Sequence, residues 1–415
     1  MRVRSGGSSH VGLHKEHNED FWGVDPSGYI FILADGMGGH AGGEVASRLA
    51  CEGIVRSLLP HREELERLAE DAKPDSRQML ISALKGAIVK AERDIFDAAE
   101  ADPRLKGMAT TCDLLFLING ILYISHVGDS RVYLLRGETG RQLTLDHNVY
   151  EFLRAQGRSE EEIEGYPHRD KLVRALGMSG GAEIDTLQLD LRQGDRIVMC
   201  SDGLHRYLIG PTQLAQLYGT HDPQSAAEFL CEYALERGGE DNITVICVEI
   251  SEPGTRKHAL ETDSKITALE RISFFRQLSY QEMLQVMPIT FEQTIEAGSI
   301  VIKEGDAGEN LFILVEGRCG VSRGGVELAT LEPGNAFGEL ALLDRQPRSA
   351  TVTALERCRV LVIRSSDFEK LTHSGNLAVK ILWNVVHELS ERLRQTSEKM
   401  RMQGLKLQDY EKKNE

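Results

Sequence analysis

The seven cysteines, at positions 51, 112, 200, 231, 247, 319 and 358, form no Cys-x-x-Cys pair and are odd in number. That excludes a disulfide framework and a structural zinc site, and it fits a protein of the reducing cytoplasm. Most of these thiols sit inside apolar runs and read as core residues. Basic residues are also short: 48 Lys and Arg against 64 Asp and Glu leave a formal net charge of −16. A surface of that sign offers no sequence-independent grip on nucleic acid. The first residues, MRVRSGGSSHVG, are basic but lack the apolar stretch of a secretory signal. The one stretch that imitates a membrane span, LLFLINGILYISHV, is too short and is split by Asn119-Gly120 into two strand-length halves. It reads as a hairpin, and no membrane is expected.

What the chain has is length, glycine and acid. Its 415 residues exceed one ordinary core, and the pattern changes near residue 250. Before that point β-rich segments alternate with two helical patterns. GGEVASRLACEGIVRSLL places Val45, Leu49, Ile54 and Leu58 near one face, and RQMLISALKGAIVKAERDIFDAAE forms the second. The polar, Pro-Gly-punctuated stretch SEPGTRKHALETDSKI reads as a linker. Short strands with Gly turns and a final helix from about residue 376 follow. The expected divisions are 1–250, a linker over 251–267, a second domain over 268–395 and a helical or frayed tail over 396–415.

The stretch ILADGMGGHAGGEVAS is dense in glycine, which suggests a phosphate cradle, but the Asp in front of it suggests a metal. The neighbouring strands decide between them. YIFILADG ends in Asp35-Gly36, ILYISHVGDS in Gly128-Asp129, and DRIVMCSDGL runs into Asp202-Gly203. In EDNITVICVEI the acid, Asp241, comes just before the strand, so an antiparallel neighbour would bring it to the same sheet edge. One Asp-Gly after a strand is ordinary turn chemistry. Folding NEDFWGVDPSGYIFILADG about Ser27, however, sets Glu19 opposite Asp35 and Asp20 opposite Ala34, give or take a residue. Carboxylates gathered in this way repel and desolvate one another unless a cation intervenes. Hard oxygen donors favour Mg²⁺ or Mn²⁺, and two such ions sharing an Asp would activate a water and clamp phosphoryl oxygens. Gly36 would leave its carbonyl free to turn toward an ion.

In order along the chain, HKEHNED, ADGMGGHAGG, MATTC, VGDSRVYLL, LTLDHN, VRALG, CSDGL and EDNIT resemble the motif series of bacterial PPM-family (type 2C) metal-dependent Ser/Thr protein phosphatases. The resemblance spans about residues 3–250. It implies an α+β fold, an α-β-β-α sandwich with the metals at one end of two packed sheets. It implies that Asp35 bridges two ions with the Gly36 carbonyl on one of them, and that Asp202 and Asp241 complete the first ion. Glu19 and Asp20 would lie near the second ion, and Asp129 with Asp202 at a third, weaker one. The implied reaction is direct attack of a metal-activated water on phosphorus, without a phosphoenzyme. Lys15 stands where the family has a phosphate-binding Arg, keeping the charge but losing the bidentate fork. Ala109 replaces the usual Gly, Met37 stands where eukaryotic members have a His, and His40 reads as a surface or outer group. The polar stretch between Asp146 and Arg174 matches a substrate-contacting flap and reads as irregular.

In the second half, FGELALLDRQPRSATV resembles the phosphate-binding cassette of cyclic-nucleotide-binding domains, and SIVIKEGDAGENLFILVEGRCGVSR the β-roll leading into it. A short helix is expected to open at Phe337-Gly338, offering free N–H groups to a phosphate. Glu339 and Arg348 supply the contacts for a ribose hydroxyl and a phosphodiester anion. The expected nucleotide site is Phe337, Gly338, Glu339, Leu340, Arg348 and Ser349, with cAMP slightly favoured over cGMP. No helix-turn-helix follows; instead Leu382, Val386, Leu389, Leu393, Thr396 and Met400 form an imperfect heptad seam suited to a homodimer helix. The whole reads as a cytoplasmic, cyclic-nucleotide-responsive phosphatase of phosphoserine and phosphothreonine proteins, opposed by a Ser/Thr kinase. The alternative is a nucleotide receptor whose phosphatase half is a scaffold.

Overall fold

A computed structural model describes residues 1–252 apart from 26, 39–41, 72–73 and 157, then 278–338 and 347–372. It also describes residues 266, 269, 272 and 275 and scattered positions from 377 to 394. The chain divides into two compact units, Met1–Leu260 and Glu261–Glu415. The linker and tail expected at 251–267 and 396–415 lie almost wholly outside the described residues.

The first unit is built on two antiparallel sheets. One runs β1 (Arg2–His10), β11 (Ile243–Glu252), β10 (Arg196–Cys200), β7 (Arg131–Arg136), β8 (Thr139–Gln142) in spatial order. The other runs β2 (Asp20–Val24), β3 (Ile30–Met37), β5 (Cys112–Ile118), β6 (Ile121–Val127), β9 (Asp185–Asp190), with β4 (Ala109–Thr110) on the far end of β3. Alternation along β3 sends Ile30, Ile32 and Ala34 into a core with helices α1 (Gly42–Leu58), α2 (Arg62–Glu70) and α3 (Pro74–Ala101), while Phe31 and Leu33, equally buried, face the other way. In the first sheet Val198, Cys200, Val245 and Cys247 pack on α7 (Pro211–Tyr218) and α8 (Pro223–Leu235). With a helical layer on each outer face, this is the expected α-β-β-α sandwich.

Three local expectations change. The buried stripe of α1 is Ala46, Ala50, Gly53, Ile54 and Leu58, with Val45 and Leu49 only partly buried. Small residues take that face because α1 lies close against α3: a Cβ on Gly53 would stand 3.3 Å from the Ala91 Cβ. The β2–β3 hairpin pairs Asp20 with Asp35 and Phe21 with Ala34, one residue off the register read from Ser27. The Asp25 carboxylate takes the N–H groups of Ser27, Tyr29 and Ile30, centring the turn between residues 27 and 28. Between Asp146 and Arg174 the described chain is irregular only in part. It forms α4 (Val149–Ala155), capped by Asn148, and α5 (Glu160–Glu164), opened by a Ser159–Glu162 capping box. The β5–β6 hairpin is as expected, with Asn119 and Gly120 at φ 49° and 79°.

The second unit contains two four-stranded antiparallel sheets. One is β12 (Thr290–Ile295), β19 (Cys358–Arg364), β14 (Asn310–Glu316), β17 (Ala336–Phe337); the other is β13 (Ile300–Ile302), β18 (Thr351–Ala354), β15 (Cys319–Arg323), β16 (Val326–Leu331). Leu314, Cys319, Val352, Val360 and Val362 from both sheets share one core, which closes the β-roll. Of the proposed dimer seam, Leu382 and Val386 are helical and exposed, whereas Leu389, Leu393, Thr396 and Met400 fall outside the described residues.

Candidate active site

Strand topology brings the acids together. β10 ends at Cys200 and passes through Ser201 into Asp202, while its antiparallel neighbour β11 is entered through Asp241 and Asn242. In the other sheet β2 starts at Asp20, directly opposite Asp35. Asp35 is not the end of its strand: pairing with β2 stops there, but on the opposite edge the ladder that β5 makes with Ile30–Leu33 runs on into β4, with Gly36 opposite Thr110. The Asp35 backbone is held from one side by the Thr-Thr pair. Its N–H donates to Thr111 Oγ1 at 2.8 Å, and its carbonyl accepts from the Thr111 N–H at 2.8 Å and from Thr110 Oγ1 at 3.0 Å.

Two glycines let the backbones close in. A Cβ on Gly36 would overlap the Gly43 carbonyl and stand 2.6 Å from the Glu19 carbonyl oxygen; one on Gly43 would overlap the Glu19 carboxylate. Gly36 has no positive φ, so it serves close approach and not a turn. Gly39, His40 and Ala41 lie outside the described residues, and His40 has no described place in the site.

The electrostatics are those of a pocket with too much negative charge. Burial pushes the Asp20 carboxyl up to about 7, with Asp202 and Asp241 adding to it against the bond from Ser201 Oγ at 2.7 Å. Burial likewise lifts Asp129 to about 7, with Asp202 adding. Asp35 is raised by burial and by Asp20, Asp202, Asp129 and Asp241, and Asp202 and Glu19 are raised by burial first. Glu19 Oε1 and Asp20 Oδ1 are buried without a hydrogen-bond partner. Leaving a carboxylate oxygen in this state costs about 1–3 kcal/mol or more.

Two cations meet part of this charge. Lys15 Nζ stands 2.6 Å from Asp241 Oδ1, and Arg206 contacts Asp202 and reaches Asp241 at 3.5 Å. Burial pulls the Lys15 ammonium down, but its bond to Asp241 outweighs that and holds it above its ordinary value. Among the described residues no three His, Cys, Asp or Glu side chains stand close enough together to enclose an ion as they are placed. The donor set nevertheless suits a hard divalent cation: oxygen atoms only, two of them buried and unsatisfied.

Three supporting residues carry no signal of their own in the sequence beyond their place beside an acid. Asn242 Oδ1 accepts from the Glu19 N–H at 2.8 Å, and its Nδ2 donates to the carbonyls of Val11 at 2.8 Å and His17 at 3.0 Å. It thereby anchors the loop that carries Lys15. Ser201 is the bond partner of Asp20. His205 Nε2 is 2.9 Å from the Asp129 carbonyl oxygen, and burial depresses its pKa to about 3, so it is the neutral donor in that bond.

In the second unit Arg348 is fixed but turned onto backbone. Its Nη1 donates to the Gly338 carbonyl at 3.1 Å and its Nη2 to the Asn310 carbonyl at 2.9 Å. The guanidinium lies over Gly308, where a Cβ would overlap it. The Phe337 ring is in the core, stacked on Phe312 with centroids 5.3 Å apart, so the ring itself does not face a ligand. Gly338 takes φ 77° and Ser349 is exposed, while Glu339, Leu340 and the short helix expected there lie outside the described residues.

Comparison with known proteins agrees with these two halves. A family profile described as "Protein phosphatase 2C" matches residues 7–242, and one described as "Cyclic nucleotide-binding domain" matches residues 292–374. The chain is 35% identical over 248 residues to the "Serine/threonine phosphatase stp" of Listeria monocytogenes, covering 57% of this chain and 92% of that protein. It is 30% identical to the "Protein phosphatase PhpP" of Streptococcus pneumoniae, over 58% of this chain and 95% of that one. The crystal structure of the Mycobacterium tuberculosis serine/threonine phosphatase PstP/Ppp superposes with a TM-score of 0.51 at 32% identity, over 60% of this chain and 99% of that one. The chain belongs to the protein phosphatase 2C family and is a serine/threonine protein phosphatase. Its second unit is a cyclic nucleotide-binding domain.

Proposed function

We propose that the first unit is a Mg²⁺- or Mn²⁺-dependent phosphatase of phosphoserine and phosphothreonine proteins, and that cyclic nucleotide bound to the second unit changes its rate. The observation that carries the metal reading is the pair of buried, unsatisfied oxygens, Glu19 Oε1 and Asp20 Oδ1, beside the three raised carboxylates of Asp35, Asp129 and Asp202. Asp35, Asp202 and Asp241 would hold one ion, Asp35 with the Gly36 carbonyl would reach a second, and Glu19 and Asp20 would orient its outer ligands. Asp129 with Asp202 offers a third, weaker place. Two such ions supply an activated water and neutralise phosphoryl oxygens during in-line displacement.

The residues of this chain do the rest. Thr110 and Thr111 fix the backbone of Asp35, so its carboxylate is placed before substrate arrives. Lys15, anchored through the Asn242-bound loop, is the cation for the substrate phosphate. As a point charge it holds the phosphate with less orientation than an Arg fork would. Helices α4 and α5 form a segment with Phe152 and Tyr166 exposed, which suits contact with a protein substrate. In the second unit Arg348 is the residue for the phosphodiester anion, with Gly338 beside it. The exposed Leu382 and Val386 support a homodimer through the final helix.

The test is hydrolysis of p-nitrophenyl phosphate and of a phosphothreonine peptide with Mn²⁺, with chelator, and with Asp35→Asn. Turnover that survives both chelator and Asp35→Asn overturns the metal reading. Rates with and without cAMP and cGMP test the regulation; rates unchanged at saturating concentrations of both refute it.

A further inference from the structure

Arg206 belongs to none of the motifs that mark this chain, yet it contacts two of the site's acids, Asp202 and Asp241. It lies four residues beyond Asp202, just past the short helix Asp202–His205. Its Nη2 contacts the Asp202 carboxylate, and its Nε donates to the Asp202 carbonyl at 3.2 Å. The same guanidinium reaches Asp241 at 3.5 Å and Glu240 at 3.7 Å. On the opposite flank Lys15 takes the other Asp241 oxygen at 2.6 Å. Asp202 and Asp241 thus meet positive charge from two sides, while Glu19 and Asp20 retain unsatisfied oxygens.

A guanidinium has five N–H donors and no acceptor, and it stays protonated at any workable pH. On Asp202 and Asp241 it competes with a divalent cation: it occupies lone pairs the ion would use, and the two positive charges repel. The Arg206 side chain is 31% exposed, so it can leave the pocket toward solvent without crossing packed core.

We propose that Arg206 is an internal counter-cation: it neutralises Asp202 and Asp241 when no ion is seated and must be displaced outward for a divalent cation to bind. This rests on the metal reading above and adds to it. The metal-free pocket is kept from flying apart, and in exchange the affinity for the ion is set lower than the bare carboxylates would give. Arg206 acts through Asp202 and Asp241 and is therefore a positioning residue.

The test is calorimetric titration of Mn²⁺ into chelator-stripped full-length protein, with melting of the metal-free form in parallel. Arg206→Gln binds Mn²⁺ about tenfold more tightly, because one opposing charge within a few ångströms is removed. Its metal-free form melts at a lower temperature than the wild type. Arg206→Lys, a single point charge that cannot bridge both acids, shifts affinity in the same direction by a smaller factor, and it serves alone should the Gln variant fail to fold. A merely structural residue would lower the melting temperature without tightening Mn²⁺ binding. If the wild type binds Mn²⁺ and the variants bind it equally or more weakly, the counter-cation proposal falls and the metal reading stands. If the wild type takes up no Mn²⁺, both fall.

Discussion

Asp25 does not touch the active site, yet it sets the register that places Asp20 opposite Asp35. Its side chain is wholly buried. Oδ1 accepts from the N–H groups of Tyr29 at 2.8 Å and Ile30 at 2.7 Å, and Oδ2 accepts from the Ser27 N–H at 3.1 Å and from the Ser27 hydroxyl. Asp25→Ala removes all of these. Hydrogen bonds to a charged group contribute about 1.5–3 kcal/mol each, but the half-buried donors of Ser27 and Tyr29 regain water while the buried Ile30 N–H does not, so a net loss of about 3 kcal/mol is expected. For a unit of this size that lowers the melting temperature by roughly 6–12 °C. Asp25→Asn keeps one acceptor for Tyr29 and Ile30 but sets its NH₂ against the Ser27 donors, and costs about half as much. The sign with pH follows. Burial raises the Asp25 carboxyl, but the bonds from Ser27, Ile30 and Tyr29 outweigh it and hold it below its ordinary value of 3.8. A depressed carboxyl stabilises fully above its unfolded pKa, and that contribution is lost as pH falls below about 3.8. Calorimetric melting of wild type and both variants at pH 7, and again below the folded pKa of Asp25, provides the assay. A shift for Asp25→Ala under about 2 °C at pH 7, or one that does not shrink in acid, refutes the argument.

Asn242→Ala deletes three bonds that tie the loop of Lys15 and Glu19 to β11. A stability loss of about 2–3 kcal/mol is expected from the orphaned buried groups, and KM for a phosphopeptide rises more than kcat falls because Lys15 is loosened; unchanged KM counts against this role for the loop. Gly308→Ala places a methyl on the Arg348 guanidinium. Titration of this variant with cAMP and cGMP should show affinity reduced by at least about tenfold, since a displaced Arg loses a charge-assisted bond; wild-type affinity would show that Arg348 is not the anion contact.

The strands and their terminal acids were readable because a buried strand needs an apolar run, and an acid at its edge interrupts the run visibly. That Asp241 could share a sheet edge with Asp202 was readable from the pattern, whereas the adjacency of their two strands is supplied by the fold. The hairpin register was readable only to within one residue, because Asp25, which looks like any turn Asp, captures N–H groups up to five residues ahead. The helices α4 and α5 were missed because they are short, seven and five residues, and too brief to show a helical period. Their real signals are the caps, N-x-x-E at Asn148 and S-x-x-E at Ser159, which hydropathy does not register. Arg206 was invisible for another reason: a lone Arg beyond CSDGL has no pattern, and only the fold sets it against Asp241.

The glycines of ADGMGGHAGG show how the same composition can serve two chemistries. In a phosphate cradle glycine is needed so that successive N–H groups can converge on an anion. Here Gly36 and Gly43 are needed because two backbones and the Glu19 carboxylate pass where a Cβ would stand. Closeness of that kind concentrates carbonyl and carboxylate oxygens, which is a field for cations. A site built this way has no stable form without positive charge inside it. Lys15 and Arg206 meet that charge at Asp241 and Asp202, and on the metal reading proposed above a divalent ion would compete with them. Metal affinity would then be set as much by these two cations as by the acids they face.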